Sequence, residues 1–162
     1  MKEVAKGDAY ATYWAAVQGD TDRVISDIIK ELLGHQTTSP ARAELKIHEI
    51  PDPHFWARQE VEYRLHPFPL ISVKWTEYWS FNLLKGDVTH PEKVLITYEK
   101  ASGTHYIRHL CGQYELTSEP KGLNGKKTRI LIYEEASAKS RTEQETLSGI
   151  AASLRQLQKS SR

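Results

Sequence analysis

LISVKWTEYWSFNLL, residues 70 to 84, decides the fold. Ile71, Val73, Trp75, Trp79, Phe81 and Leu83 fall on one parity, and Ser72, Lys74, Thr76, Ser80 and Asn82 on the other. A period of two over this length is the signature of a long strand with one oily and one wet face. The same pattern recurs on both sides of it. Upstream, Phe55, Ala57, Val61, Tyr63 and Leu65 alternate with Arg58, Glu60, Glu62 and Arg64, and the proline turn His66-Pro67-Phe68-Pro69 links the two runs. Downstream, Val94, Ile96 and Tyr98 alternate with Lys93, Thr97 and Glu99. Ser102-Gly103 then gives a tight-turn signal, Tyr106–Leu116 a further strand, and Thr128–Glu135 a last one.

The ends of the chain supply the covers. Ala9–Val17 reads as a first strand and Ala43–Glu49 as a second. Between them Val24, Ile25, Ile28, Ile29, Leu32 and Leu33 recur at helical spacing, with Asp20 or Thr21 placed to cap the start and Gly34 the end. After Ser140 a second helix follows, capped by Ser140 or Thr142 with Glu143 or Glu145 three residues on, and striped by Leu147, Ile150, Ala151, Leu154 and Leu157. Strands joined by short turns pair antiparallel, and an oily sheet face needs a cover. The expectation is an α+β fold, a curved seven-stranded antiparallel sheet wrapped around a long C-terminal helix, as one domain over residues 1–162. One helix is too narrow to fill such a sheet, so an apolar cavity is expected between them.

The order of elements, with Tyr98-Glu99-Lys100, Gly103-Thr104, Tyr106-Ile107-Arg108, Gly112, Tyr114-Glu115-Leu116, Thr128-Arg129 and Tyr133, resembles the helix-grip fold of the SRPBCC superfamily. That group joins START-type lipid-transport domains, birch-pollen-allergen-like proteins and polyketide cyclases. Bacterial members show a similar spacing across the last two strands. The resemblance implies a cavity and an apolar-ligand habit, with no reaction attached.

Composition narrows the classes. The 162 residues carry 22 basic and 21 acidic side chains, for a net charge of +1. They are dispersed, so no nucleic-acid-binding face is expected. No apolar run is long enough to span a bilayer. Met1–Asp8 lacks a leader-type apolar stretch, which points to the cytoplasm; transient contact with a membrane surface remains compatible. Cys111 is the only cysteine, read as a buried strand thiol. His105 and His109 are about 13 Å apart if both lie on one strand, too far for one ion. No metal, nucleotide or other cofactor is expected.

Chemistry rests on a few residues. Glu77 shares its parity with Trp75, Trp79 and Phe81. An acid among indoles is desolvated, and its pKa rises. A local bulge that turned it outward would remove that role. Tyr63, Trp75, Trp79, Tyr98, Tyr106 and Tyr133 are candidates for the cavity wall, or for plain core. Strand parity sends either Arg108 or His109 inward: the oily neighbours Tyr106, Leu110 and Tyr114 favour Arg108, while a two-residue turn at Ser102-Gly103 favours His109. The expected function is binding or transport of a small hydrophobic ligand, such as a lipid, quinone, sterol or aromatic metabolite. The alternative is a cyclase- or dehydratase-type enzyme using Glu77 with a tyrosine, Arg108 or His109.

Overall fold

In the computed structural model, residues 2–3, 11–35, 43–121, 123, 125–139 and 141–159 are described. Ten elements follow one another: β1 (Lys2–Glu3), β2 (Tyr13–Thr21), α1 (Ile25–Leu33), β3 (Glu44–Glu49), β4 (Ala57–Phe68), β5 (Ile71–Gly86), β6 (Pro91–Gly103), β7 (Ile107–Lys121), β8 (Gly125–Ala138) and α2 (Glu143–Gln158). The strands form one sheet in the order β1-β2-β8-β7-β6-β5-β4-β3, and every neighbouring pair is antiparallel. The seven expected strands are present, and the two-residue β1 adds an edge. This is the helix-grip arrangement.

Topology dictates where the helices lie. β2 sits near one edge and β3 forms the other, so the β2–α1–β3 connection must cross the sheet. α1 passes over β6 and β7, while α2 packs on β2 and β8. Ile25, Ile28, Ile29 and Leu32 of α1 and Thr146, Ile150, Leu154 and Leu157 of α2 are the buried residues of the two helices. Arg23 ties them together, pairing with Glu31 at 2.6 Å and donating to the Leu157 carbonyl at 2.9 Å. Thr142 and Glu145 form the capping box of α2.

Several expected boundaries move, for physical reasons. The first strand is described from Tyr13, Ala9 and Tyr10 lying outside the described residues, and it runs on to Thr21 because Gly19, Asp20 and Thr21 pair with Ile130, Arg129 and Thr128. Asp20 and Thr21 are therefore spent on the ladder, and α1 starts after Val24 with no side-chain cap. Ser102-Gly103 is no hairpin loop. Gly103 ends β6 at φ 119°, and Thr104 N–H then bonds back to the Lys74 carbonyl at 2.8 Å.

One row of inward residues spans the sheet. Ala15 faces Glu134, Glu134 faces Gly112, Gly112 faces Tyr98, Tyr98 faces Trp79, and Trp79 faces Gln59. Gly112 is the gap that makes the row fit. A Cβ there would stand 2.4 Å from the Tyr98 ring end and 2.6 Å from the Tyr133 carbonyl oxygen. The phenol of Tyr98 occupies that space and reaches across β7 to the Glu134 carboxyl.

Gly112→Ala should therefore destabilise the fold by roughly 1–3 kcal/mol, the usual cost of forcing a methyl into a packed core. Urea unfolding measures it. A variant as stable as the parent would show that the Tyr98 ring does not need the gap.

Candidate functional site

Among the described residues, two carboxyl groups are buried in the interior, each on a strand whose alternation forces it inward. Glu77 is 4 % exposed. Its carboxylate accepts the Trp75 Nε1–H at 2.7 Å and the Trp79 Nε1–H at 3.0 Å. These are the two inward neighbours at i−2 and i+2 on β5, so one strand supplies both donors. The Tyr63 hydroxyl adds a third favourable interaction. A register shift does occur beside Glu77, but Thr76 pairs with Ser102 and Glu77 with Lys100. The extra residue is on β6, and Glu77 stays inside.

Burial dominates its chemistry. Desolvation pushes the Glu77 carboxyl up to about 7, against the opposing pull of the indole N–H groups, and the charge of Glu134 adds to the rise. Glu134 is itself buried and likewise raised by desolvation, with Arg141 at 3.6 Å and the Tyr98 hydroxyl pulling the other way. Between the two acids the Trp79 and Tyr98 rings stack, with centroids 4.4 Å apart and planes 13° apart. His35, at φ 55°, lies edge-on to Trp79 at 4.7 Å. Its Nε2 lies 2.6 Å from Gln59 Oε1, whose amide nitrogen donates to Glu49 and to the Leu33 carbonyl. Burial lowers the His35 pKa against the opposing pull of the Gln59 hydrogen bond and the Glu49 charge.

Of the expected wall residues, Tyr63, Trp75, Glu77, Trp79 and Tyr98 come together on the inner face. Tyr63 and Trp75 stack at 4.9 Å. The other three lie elsewhere. Tyr106 is 47 % exposed in the β6–β7 connection, under Lys139 Nζ at 5.3 Å. Arg108 is the residue skipped where Ile107 pairs with Ala138 and His109 with Ser137, and it is exposed. Tyr133 lies on the outer face, donating to Glu135 at 3.0 Å. His109 is outward too, 3.1 Å from Glu135. Neither Arg108 nor His109 partners Glu77. Cys111, read as a buried thiol, is only half-buried and sits on the outer face beside His109. The inward acid that the pattern did not reveal is Glu134. Its signal was parity with Thr128, Ile130 and Ile132, all buried.

The inner face is unevenly sealed. Ile96, Leu116, Ile130 and Ile132 are fully buried beneath the helices, whereas Leu45, Ile47, Leu65 and Val73, at the β3–β5 end beside Glu77, are only partly buried. Among the described residues, a groove of about 300 Å³ opens at the same end but on the opposite, outer face, lined largely by the outward Glu44, Lys46, Glu62, Arg64 and Lys74. No described helix is long and apolar enough to cross a membrane.

No family model matches the chain, and no curated protein matches it in sequence. Solved structures do match. The human StarD13 (DLC2) lipid transfer and protein localization domain aligns with a TM-score of 0.59 at 14% identity, over 97% of this chain and 80% of that one. A protein from Chromobacterium violaceum gives 0.56 at 13% identity, over 89% of this chain and 93% of its own. Truncated norcoclaurine synthase from Thalictrum flavum gives 0.51 at 15% identity, over 94% of each chain. At such identities the likeness is one of fold: this chain has the START-like helix-grip fold, which serves a lipid-transfer domain in one case and a synthase in another.

The raised Glu77 pKa ties stability to pH. The native chain holds this proton up to about pH 7, whereas an ordinary carboxyl near 4.5 loses it earlier. The stabilisation is complete below about pH 4.5 and is lost as pH rises through 7. Between about pH 5 and pH 8 this group alone should cost the fold roughly 2–3 kcal/mol. Glu77→Gln should remove that part of the slope in urea unfolding at the two pH values. An unchanged slope would show that the carboxyl titrates as a solvated group.

Proposed function

We propose that the chain binds a small, largely apolar ligand on the inner face at the β3–β5 end, beside Glu77. The observation that carries this reading is the uneven seal of the concave face. Leu45, Ile47, Leu65 and Val73 point the same way as the core yet keep part of their surface open. Covering that surface with an apolar molecule would be worth about 25 cal/mol for each Å² removed from water. A buried polar group beside an apolar wall fixes orientation, and the Glu77 carboxyl, near its midpoint at neutral pH, would accept from or donate to a ligand hydroxyl or carbonyl. Lipids, quinones, sterols and aromatic metabolites all fit that description. The lipid-transfer domain of the same fold supports the class of ligand.

A second reading has its own observation. A carboxyl held near 7 in a desolvated site is matched to proton transfer at neutral pH. On that reading Glu77 acts as general acid or base on a polyketide-like substrate, positioned by the indoles of Trp75 and Trp79.

Native mass spectrometry of the purified chain should show an apolar adduct. Tryptophan emission, dominated at this end by Trp75 and Trp79, should respond to members of a panel of fatty acids, sterols, quinones and aromatic lactones. Val73→Arg should keep the fold and weaken that response at least ten-fold, because it puts a charge on the open apolar rim. A folded parent with no adduct and no response to any panel member would overturn the binding reading. Glu77→Gln separates the two readings: a pure binder keeps its cargo and has no turnover to lose, whereas an enzyme binds and stops turning over.

A further inference from the structure

On the outer face of the sheet, away from the interior carboxyls, three side chains of different chemistry converge. His109 and Cys111 are two apart on β7, and Glu135 faces Cys111 directly from β8. His109 Nε2 lies 3.5 Å from Cys111 Sγ and 3.1 Å from Glu135 Oε1, and one ligand atom from each residue lies within 4.8 Å of the other two. We propose that His109, Cys111 and Glu135 form a binding site for a single divalent metal ion of the zinc type, with solvent as the fourth ligand.

The geometry suits that ion. Zinc holds nitrogen and oxygen at about 2.0–2.1 Å and sulfur at about 2.3 Å in a tetrahedron. The edges of such a tetrahedron are therefore roughly 3.3–3.6 Å long, and the two separations from His109 Nε2, 3.5 Å to the thiol and 3.1 Å to the carboxylate, lie within a few tenths of an ångström of them. One thiol, one imidazole and one carboxylate make a borderline-soft donor set, which favours zinc over magnesium or calcium. A hydrogen-bonded relay is the competing use of Cys, His and Glu. It needs the acid and the thiol on opposite ring nitrogens, yet here both approach Nε2. Convergence on one nitrogen is what a shared ion requires.

The surroundings complete the case. Tyr133 Oη donates to Glu135 Oε2 at 3.0 Å, holding the carboxylate so that Oε1 faces His109. Such outer support orients metal ligands. Glu99 faces Cys111 from β6 and Glu135 faces it from β8, so the sulfur stands between two carboxylates and in their negative field. A dication would be drawn by that field, and the thiol would release its proton to solvent on binding. A groove of about 300 Å³, lined by Cys111, Gln113, Tyr133 and Thr97 among others, opens beside the cluster and leaves room for the fourth ligand.

Cobalt(II) reports a thiolate ligand through a near-ultraviolet charge-transfer band. Untagged protein titrated with Co²⁺ should develop that band at one ion per chain, and Zn²⁺ should abolish it. Cys111→Ser should keep its far-ultraviolet circular dichroism and lose the band. His109→Ala and Glu135→Gln should each weaken binding about ten-fold or more, and Tyr133→Phe should also weaken it, as loss of outer-shell support does. A folded parent that shows no band at saturating cobalt would overturn the proposal. So would a band of undiminished affinity in His109→Ala and Glu135→Gln, since the metal would then rest on the thiol alone.

Discussion

The interior depends on one absent side chain. Because position 112 carries no Cβ, the Tyr98 ring can lie across β7 instead of standing up from β6. In that pose its face meets Trp79 at 4.4 Å and its hydroxyl meets Glu134. The stack in turn fixes the Trp79 indole, whose N–H is one of the two that grip Glu77. An offset aromatic pair contributes only about 0.5–1.5 kcal/mol beyond its buried area. Its larger effect is positional: it points a donor at an acid that has no bulk water to turn to.

Two acids in one apolar interior are a costly arrangement. Burying an isolated carboxylate is so unfavourable that the group normally takes up a proton instead, and each of these is shifted in that direction. They differ in how far solvent-side charge reaches them. Glu134 has Arg141 at 3.6 Å, whereas the groups around Glu77 are indoles and a phenol. Neutral donors soften the desolvation of a carboxylate without cancelling its charge. Glu77, pushed up to about 7, changes its charge state near neutrality, and it stands at the end of the face where apolar surface remains open.

Much of this was readable from residue order. The alternation in residues 70–84 placed Trp75, Glu77 and Trp79 on one face, and the Thr142–Glu145 capping box announced α2. Parity failed where a strand carries apolar residues on both faces or breaks step. In Thr128–Glu135, Leu131 and Tyr133 look as suited to the core as Ile130 and Ile132, so apolar content alone does not choose between the two parities; the pairing of Glu134 with Gly112 does. At Arg108 the ladder skips a residue, and no counting from Tyr106 survives that step. His109, Cys111 and Glu135 were hidden for a different reason. They sit on two strands, and sequence separation says nothing about which residues stand side by side across a ladder.

The register of β7 against β8 is accordingly tightly held. Glu134 and Glu135 are adjacent in the chain and serve opposite faces, one against Tyr98 and the other against His109. A slip of one residue would exchange them. It would also bring Ile130 and Ile132, which are fully buried, to the solvent side. Exposing two such side chains costs roughly 3–6 kcal/mol, comparable to the whole stability of a small domain. The oily pair at 130 and 132 therefore holds the register, and the register decides which glutamate becomes an interior acid and which becomes a surface ligand. Residues with no polar chemistry of their own thus set the chemistry of both faces.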